Sequence, residues 1–166
     1  MKRRRKMENS RKRDKKIEID ISGQIQQLNH DSALGFSRDN GIEKSVYLRS
    51  KDKKEIIKKY GGQVTNLIEK LHCILVYYLI KDELKEVTEI KVCKDVDFRT
   101  LKNLLPLLFK EQNYLDGIKI IVRTGDEQKS KAHRFALRTF RRRKYASQII
   151  NKKILEEMLF KFKKNK

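Results

Sequence analysis

Hydrophobic and polar residues alternate near the start of the chain. Within Ile17–Ile25 one face consists of Ile17, Ile19 and Ile21, and the other of Glu18, Asp20 and Ser22. This period of two predicts a β-strand. Ser32–Arg38 and Ile42–Arg49 also have strand character, and Asp39-Asn40-Gly41 between them is a hairpin signal, because both central turn residues must tolerate positive φ. We therefore predict an antiparallel meander of three strands.

Beyond Gly61-Gly62 the apolar period becomes helical. Apolar residues recur at intervals of three and four through Gln63–Lys81, which predicts a buried amphipathic helix, with Thr65 as a candidate capping residue. The later patterns predict a strand at Val87–Cys93, a helix at Phe98–Gln112 and a strand at Ile118–Arg123. Pro106 is expected to kink or end that second helix.

The last quarter of the chain is predicted to be helical. The pattern runs from Lys129 nearly to the end, in two helices divided near Tyr145–Ser147. The order is βββαβαβα with an extra C-terminal helix, which predicts an α/β fold with a mixed sheet covered by helices. We expect a basic disordered tail at 1–16, one domain at 17–146, and a basic amphipathic helix at 147–166 that packs on the domain or on a partner.

The net charge of the chain indicates the class of partner that the protein binds. The 166 residues include 42 Lys and Arg against 22 Asp and Glu, giving a net charge of +20 and a pI near 10.0. This excess predicts salt-dependent affinity for polyanions, with nucleic acid as the expected partner. A ribosome-associated protein, or one that is simply rich in lysine, is the alternative interpretation.

The sequence gives no sign of a membrane segment or of a disulfide framework. No apolar run reaches the length of a membrane span, and no apolar stretch follows the basic N-terminus, so we expect a soluble cytoplasmic protein without a membrane partner. Cys73 and Cys93 lack the spacing of metal ligands. We expect both to be small core residues in a reducing compartment.

Two basic clusters are candidate contacts to nucleic acid. The first lies in Met1–Lys16 and the second in Lys129–Lys144, where Phe135 and Phe140 would anchor a helix whose arginines face phosphates through their planar donor forks. The candidate residues are Arg3, Arg4, Arg5, Arg134, Arg138, Arg141, Arg142, Arg143 and Lys144. A solvated tail or targeting signal, and a solvated helix face, are the respective alternatives.

Three acidic residues are candidates for a metal site. Asp20 lies within the first strand, Asp95 follows the fourth strand, and Glu69 lies in the first turns of the first long helix. If the first and fourth strands are neighbours, these carboxylates converge and repel one another unless divalent cations neutralise them. Mg²⁺ or Mn²⁺ is the natural occupant. Two such ions about 3.5–4 Å apart activate water and stabilise the leaving oxygen in phosphodiester cleavage.

These features resemble the ribonuclease H-like superfamily, and type 1 ribonuclease H in particular, over roughly Ile17–Leu137. The segments IEIDISG and SALGFS match its first two strands, with Asp20 as the family's aspartate and Gly35 as its glycine. The resemblance makes the predicted domain at 17–146 a ribonuclease H-like domain.

Further matches follow along the chain. The Thr65-Asn66 pair and then Glu69 resemble the opening of the family's first helix, with the glutamate about one residue early. Lys94-Asp95-Val96 keeps the aspartate that follows the fourth strand but lacks the usual serine.

The main departure from the family is His133. The segment IIVRTGDEQKSKAHRFAL places His133 three residues before Ala136, where the family has its fourth acid. A histidine can ligate a metal or transfer a proton, while a surface histidine in a basic helix is the alternative. Asp126 would be the substitute acid if His133 has no such role.

The resemblance implies a metal-dependent endonuclease that hydrolyses RNA in RNA–DNA hybrids. Asp20, Glu69 and Asp95 would hold two Mg²⁺ or Mn²⁺ ions, and His133 would assist. A Holliday-junction resolvase of the same superfamily is one alternative, although such enzymes carry their second acid on the fourth strand, where this chain has only Glu89. A non-catalytic nucleic-acid- or ribosome-binding module with the same sheet is the other.

Overall fold

A computed structural model of the protein describes residues 16–38, 41–94, 97–109, 115–123 and 130–163. The first half contains β1 (Lys16–Ser22), β2 (Ser32–Arg38), β3 (Glu43–Leu48), α1 (Ser50–Tyr60) and α2 (Leu67–Ile80). The second half contains β4 (Glu89–Val92), α3 (Phe98–Leu104) with a 3₁₀ extension (Leu105–Leu108), β5 (Lys119–Val122), α4 (Lys131–Arg141), a 3₁₀ turn (Arg143–Tyr145), β6 (Gln148–Ile150) and α5 (Lys152–Lys163).

The described strands form one mixed sheet in the order β5-β4-β1-β2-β3-β6. β1, β2 and β3 are antiparallel neighbours, β4 is parallel to β1, β5 is parallel to β4, and β6 is parallel to β3. The predicted α/β class with a mixed sheet is therefore confirmed. β1 lies inside the sheet, so both of its edges are paired with neighbouring strands.

The two faces of β1 meet different layers. On one face Ile19 belongs to the main apolar core, together with Leu34 and Phe36 of β2 and with Leu71 and Leu75 of α2. On the other face α4 packs across β1, β2 and β3. Because the second face is also covered, its polar residue Asp20 is only 3% exposed.

The C-terminal helix belongs to the same packed body. α5 contacts α1 and α2, and its buried residues are Leu155, Met158, Leu159 and Phe162. Of the two expected locations for this helix, the structure shows packing on the domain. Cys73 and Cys93 are both buried, as predicted for small core residues. No helix in the described ranges has the length and apolar character of a membrane span.

Two described elements were not predicted. α1 contains the sequence SKDKKEIIKKY, in which Ile56 and Ile57 are the only aliphatic residues, so the apolar pattern is too sparse to indicate a buried face. β6 was predicted as helix, but Gln148–Ile150 pairs with Val46–Leu48 of β3. A run of three residues has too little period for sequence reasoning to separate strand from helix.

Several element boundaries also differ from the prediction. α2 begins at Leu67, after Asn66 in a left-handed conformation with φ 52°, so Thr65 is not its capping residue. The α-helical part of the predicted Phe98–Gln112 helix ends at Leu104, and Pro106 lies in the 3₁₀ extension, because proline removes a helical hydrogen bond. The β2–β3 pairing confirms the predicted hairpin, although residues 39 and 40 lie outside the described ranges.

His72 predicts an acid-dependent loss of stability. Burial lowers the pKa of this α2 histidine from 6.5 to about 4, so between these pH values the unfolded chain binds a proton that the folded protein does not. The free energy of unfolding should therefore fall as the pH drops from about 6.5 to about 4, by at most roughly 3 kcal/mol from this residue. Urea unfolding of the wild type and His72→Phe across this range measures the effect.

Exposed His30, in the loop after β1, provides the matched control. Its replacement by Gln should leave the acid-dependent loss in place, whereas His72→Phe should flatten it. Equal pH dependence in the wild type and His72→Phe would contradict the assignment of the loss to His72.

Candidate functional site

The centre of the candidate site is a contact between Asp20 and His133. Asp20 Oδ2 lies 3.0 Å from His133 Nδ1, and Asp20 Oδ1 accepts a hydrogen bond of 2.8 Å from the backbone N–H of Ile21. The Asp20 side chain is 3% exposed, whereas that of His133 is 27% exposed. When the carboxylate is ionised it can only accept, so Nδ1 is then the donor of this contact and Nε2 of the neutral ring is an acceptor. A buried acid is thus linked to solvent through an imidazole.

Gly35 allows α4 to approach the sheet closely enough for this contact. Gly35 pairs with Asp20 across β1 and β2. A Cβ at Gly35 would lie 2.3 Å from the carbonyl oxygen of Ala132 and 2.5 Å from the nitrogen of Ala136. With glycine on the strand and alanines on the helix, the two backbones lie in direct contact. His133, between those alanines in sequence, is thereby brought to Asp20.

The N-terminus of α4 is fixed by two polar residues that the sequence interpretation did not select. Ser130 caps the helix by accepting from His133 N–H at 3.1 Å, and its hydroxyl donates to Glu18 Oε2 at 3.2 Å. Glu18 lies on the same face of β1 as Asp20. A serine directly before an amphipathic helix is a capping signal that could have identified Ser130. The Glu18 contact depends on tertiary structure and has no local signal.

A basic cavity adjoins this helix end. It measures about 280 Å³ and is lined by Lys16, Glu18, Ser37, Lys91, Arg123, Ser130 and Lys131. Glu18 and Arg123 lie 3.8 Å apart. Four cationic side chains against one carboxylate make this cavity suitable for an anion such as a phosphate.

Glu69 lies near the same end of β1 but on the opposite face. It lines a cavity of about 290 Å³ formed by Ile21, Gln24, Ile25, Gln26, Ile68, Glu69, His72 and Asp97. Ile21 faces this cavity, while its neighbour Asp20 faces α4. Among the residues that the structure describes, no three His, Cys, Asp or Glu side chains form a group that could hold a metal ion. The structure therefore places Asp20 and His133 in contact, whereas Glu69 lies apart from them on the opposite face of β1.

Asp97 lines the same cavity, but its hydrogen bonds are those of a helix cap. Its oxygens accept from Thr100 N–H at 3.2 Å and from the Thr100 hydroxyl at 2.8 Å. These hydrogen bonds lower the pKa of Asp97. The position of Asp97 directly before the predicted Phe98–Gln112 helix predicts this capping role, because a carboxylate oxygen can accept from the free first-turn amides, and the structure confirms it.

The loop between β1 and β2 forms one wall of this cavity, and Lys53 of α1 holds the loop in place. Lys53 is fully buried, and its Nζ donates to Gln27 O at 2.8 Å and to Ser32 Oγ at 2.9 Å. Burial lowers the pKa of this amine to about 8. Because α1 was not predicted, sequence reasoning could not assign Lys53 to the site.

Several predicted site residues lie outside the described ranges, namely Asp95, Asp126, Arg3, Arg4 and Arg5. The register of β4 nevertheless shows where the strand that precedes Asp95 ends. Val92 pairs with Ile19, so β4 ends beside Asp20. Asp20 and Glu69 are hard oxygen donors of the kind Mg²⁺ prefers, but the described donors do not complete a site on their own. A divalent-ion site here requires a further donor such as Asp95.

Four of the six predicted basic residues of the C-terminal half line one groove. Arg134, Arg138 and Arg141 recur at intervals of four and three on the outer side of α4, which places them on one helix face. Together with Leu137, Arg142 and Tyr145 they line a groove of about 340 Å³, which we call the α4 groove. Arg143 and Lys144 follow in the adjoining 3₁₀ turn, and both are exposed.

Comparison of the chain with protein-family models, curated proteins and solved structures gives no match.

Gly35→Ala should destabilise the protein and separate His133 from Asp20. The added methyl group meets backbone atoms that cannot rotate away, so α4 has to shift, and we expect a loss of about 1–3 kcal/mol in the free energy of unfolding. Chemical denaturation measures this loss.

Gly62→Ala is the matched control, because a Cβ there meets nothing within 4 Å. It should change the free energy of unfolding by less than about 1 kcal/mol. Equal effects of the two substitutions would show that the close approach at Gly35 is not required.

Proposed function

We propose that this protein is a metal-dependent nuclease with a ribonuclease H-like fold that hydrolyses RNA in RNA–DNA hybrids. The observation that carries the proposal is the contact of buried Asp20 with His133, two residues that the resemblance assigns to one catalytic centre. The sheet order supports it, because β4 lies beside β1, as the convergence of Asp20 with Asp95 requires.

Each residue of the proposed site has a defined task. Asp20, together with a further donor such as Asp95, would hold Mg²⁺ or Mn²⁺, which would supply an activated water and stabilise the leaving oxygen. Glu69, on the opposite face of β1, is not one of these donors. The backbone N–H of Ile21 and the imidazole of His133 orient the Asp20 carboxylate. His133 is partly exposed, and its Nε2 can accept a proton from water or return one to the leaving oxygen.

Basic surfaces on both sides of His133 would hold the substrate. The cavity containing Lys16, Lys91, Arg123 and Lys131 lies at the N-terminus of α4, and the α4 groove lies along its outer face. Lysine and arginine contacts to phosphates position a nucleic acid without reading its sequence. We therefore expect substrate choice to depend on backbone type and shape.

The position of Glu89 weighs against the Holliday-junction resolvase alternative. Glu89 pairs with Lys16 at the start of β1, four residues before Asp20, which corresponds to about 13 Å along a strand. Its carboxylate lies 3.8 Å from Lys16 Nζ and 3.9 Å from Lys91 Nζ. Glu89 is therefore too far away to share a metal ion with Asp20.

Two observations favour a second candidate function, a non-catalytic module that binds nucleic acid or the ribosome. A histidine contacts Asp20 where the resemblance places an acid, and the described part of the chain contains no group of three metal donors. This candidate predicts binding with a steep salt dependence, no heat of Mg²⁺ binding and no cleavage.

Asp20→Asn should abolish cleavage of a labelled RNA–DNA hybrid in Mg²⁺ or Mn²⁺ while leaving hybrid binding largely intact. The amide preserves the shape of the side chain but removes the charge that a divalent ion requires. His133→Gln should retain slower cleavage, reduced by about 100-fold, because it removes a proton-transfer group. Cleavage that persists in Asp20→Asn would reject the nuclease proposal.

A panel of substrates separates the candidates. The proposed nuclease should cut the hybrid in preference to a four-way DNA junction. Preferential cutting of the junction would support the resolvase alternative despite the position of Glu89. Salt-sensitive binding with no cleavage of either substrate, and no Mg²⁺ heat by calorimetry, would support the binding module.

A further inference from the structure

We propose that the α4 groove binds a single-stranded segment of nucleic acid, with a base stacked on Tyr145 and the phosphates held by the arginines. This inference rests on the nucleic-acid binding of the proposed function, but it does not depend on cleavage. It identifies the substrate class as a nucleic acid with an unpaired segment next to the candidate site.

The charge of the groove suits a phosphate backbone. Its charged lining residues in the described part of the chain are Arg134, Arg138, Arg141 and Arg142. The first three follow one helix face over about 10 Å, starting next to His133. A strand lying in the groove therefore leads towards the contact between Asp20 and His133.

Arg138 is held in place by two aromatic rings. Its guanidinium carbon lies 4.4 Å from the centre of the Phe135 ring and 4.6 Å from that of Tyr145. Cation–π contacts of this kind fix the guanidinium without using its N–H donors. The donors can then bind a phosphate with little additional loss of conformational entropy.

Tyr145 combines an exposed ring with a fixed backbone. The residue is 39% exposed, and its carbonyl oxygen accepts a hydrogen bond of 3.1 Å from the Ser45 hydroxyl. Thr139 of α4 donates to that same hydroxyl oxygen at 2.7 Å. The backbone that carries the ring is therefore fixed, and Arg138 and Lys144 lie 4.6 Å and 5.3 Å from the ring centre. The exposed part of the ring can serve as a stacking surface.

The apolar part of the groove distinguishes a single strand from a duplex. A duplex keeps its bases stacked inside and presents sugars and phosphates, which need only the arginines. An unpaired strand exposes base faces, and proteins bind them by combining a positively charged groove with aromatic side chains. Tyr145 and Leu137 supply the surface that only an unpaired base can use.

Binding of fluorescent RNA–DNA hybrids in EDTA tests the inference, because cleavage is then blocked. Wild-type protein should bind a hybrid with a short single-stranded extension at least about 5-fold more tightly than the blunt hybrid. Tyr145→Phe should retain this preference, and Tyr145→Leu should abolish it without weakening blunt-hybrid binding. Arg138→Ala should weaken both complexes and reduce the slope of log K against log salt by about 1.

Phe160→Leu provides the matched control, because Phe160 is an exposed aromatic residue of α5 at 50% exposure, next to Lys163. It should leave the preference unchanged. Equal affinity of the wild type for the two hybrids would overturn the inference. If Tyr145→Leu lowered the affinity for both hybrids equally, the inference would also be overturned. The Tyr145 ring would then act only by holding Arg138 in place and not by stacking on a base.

The outcomes separate this inference from the nuclease proposal. Loss of the preference for the extended hybrid, with Mg²⁺-dependent cleavage intact, would reject the groove assignment alone. Absence of cleavage, with the Tyr145-dependent preference intact, would reject the nuclease and leave the groove assignment standing. Circular dichroism of each variant verifies that the fold is retained.

Discussion

The close contact between α4 and strand β2 at Gly35 determines where the candidate site lies. No side chain separates the strand from the helix there, and the backbone atoms of Ala132 and Ala136 occupy the space that a Cβ would need. Gly35 is paired with Asp20, so the same contact brings His133 to the carboxylate. The acid is buried because the helix covers it, and it reaches solvent because the histidine is partly exposed.

The sequence predicted the parts of this arrangement that depend on local pattern. The alternation in β1 identified the strand and placed Asp20 on the face opposite the isoleucines, and the resemblance selected His133. Strand register cannot be read from a single strand, so the pairing of Asp20 with Gly35 required the structure. The contact of Glu18 with Ser130 and that of Lys53 with the β1–β2 loop also required the structure. α1 was not predicted because it has too few apolar residues to show a helical period. β6 was not predicted because it is too short to show any period.

The distribution of charge gives the Asp20–His133 contact and the arginine-rich surface of α4 different roles. The chain carries 42 Lys and Arg. Within the described residues, however, the side chain in contact with the Asp20 carboxylate is that of His133. The partner of this carboxylate is thus an imidazole and not a guanidinium, whose charge is permanent. Arg134, Arg138, Arg141, Arg142 and Arg143 lie instead on α4 and directly after it, where they are exposed. This division suits a protein that holds nucleic acid on its surface and acts on it at one buried acid.

Paramagnetic broadening by Mn²⁺ tests the central claim most directly, because it locates a bound ion without relying on activity. Mn²⁺ added in small amounts to ¹⁵N-labelled protein should first broaden the amide signals of Asp20, Ile21 and His133, and the effect should disappear in Asp20→Asn. Broadening confined to acidic residues elsewhere, such as Glu55 and Glu156 on the exposed helices, or broadening unchanged in Asp20→Asn, would contradict the account.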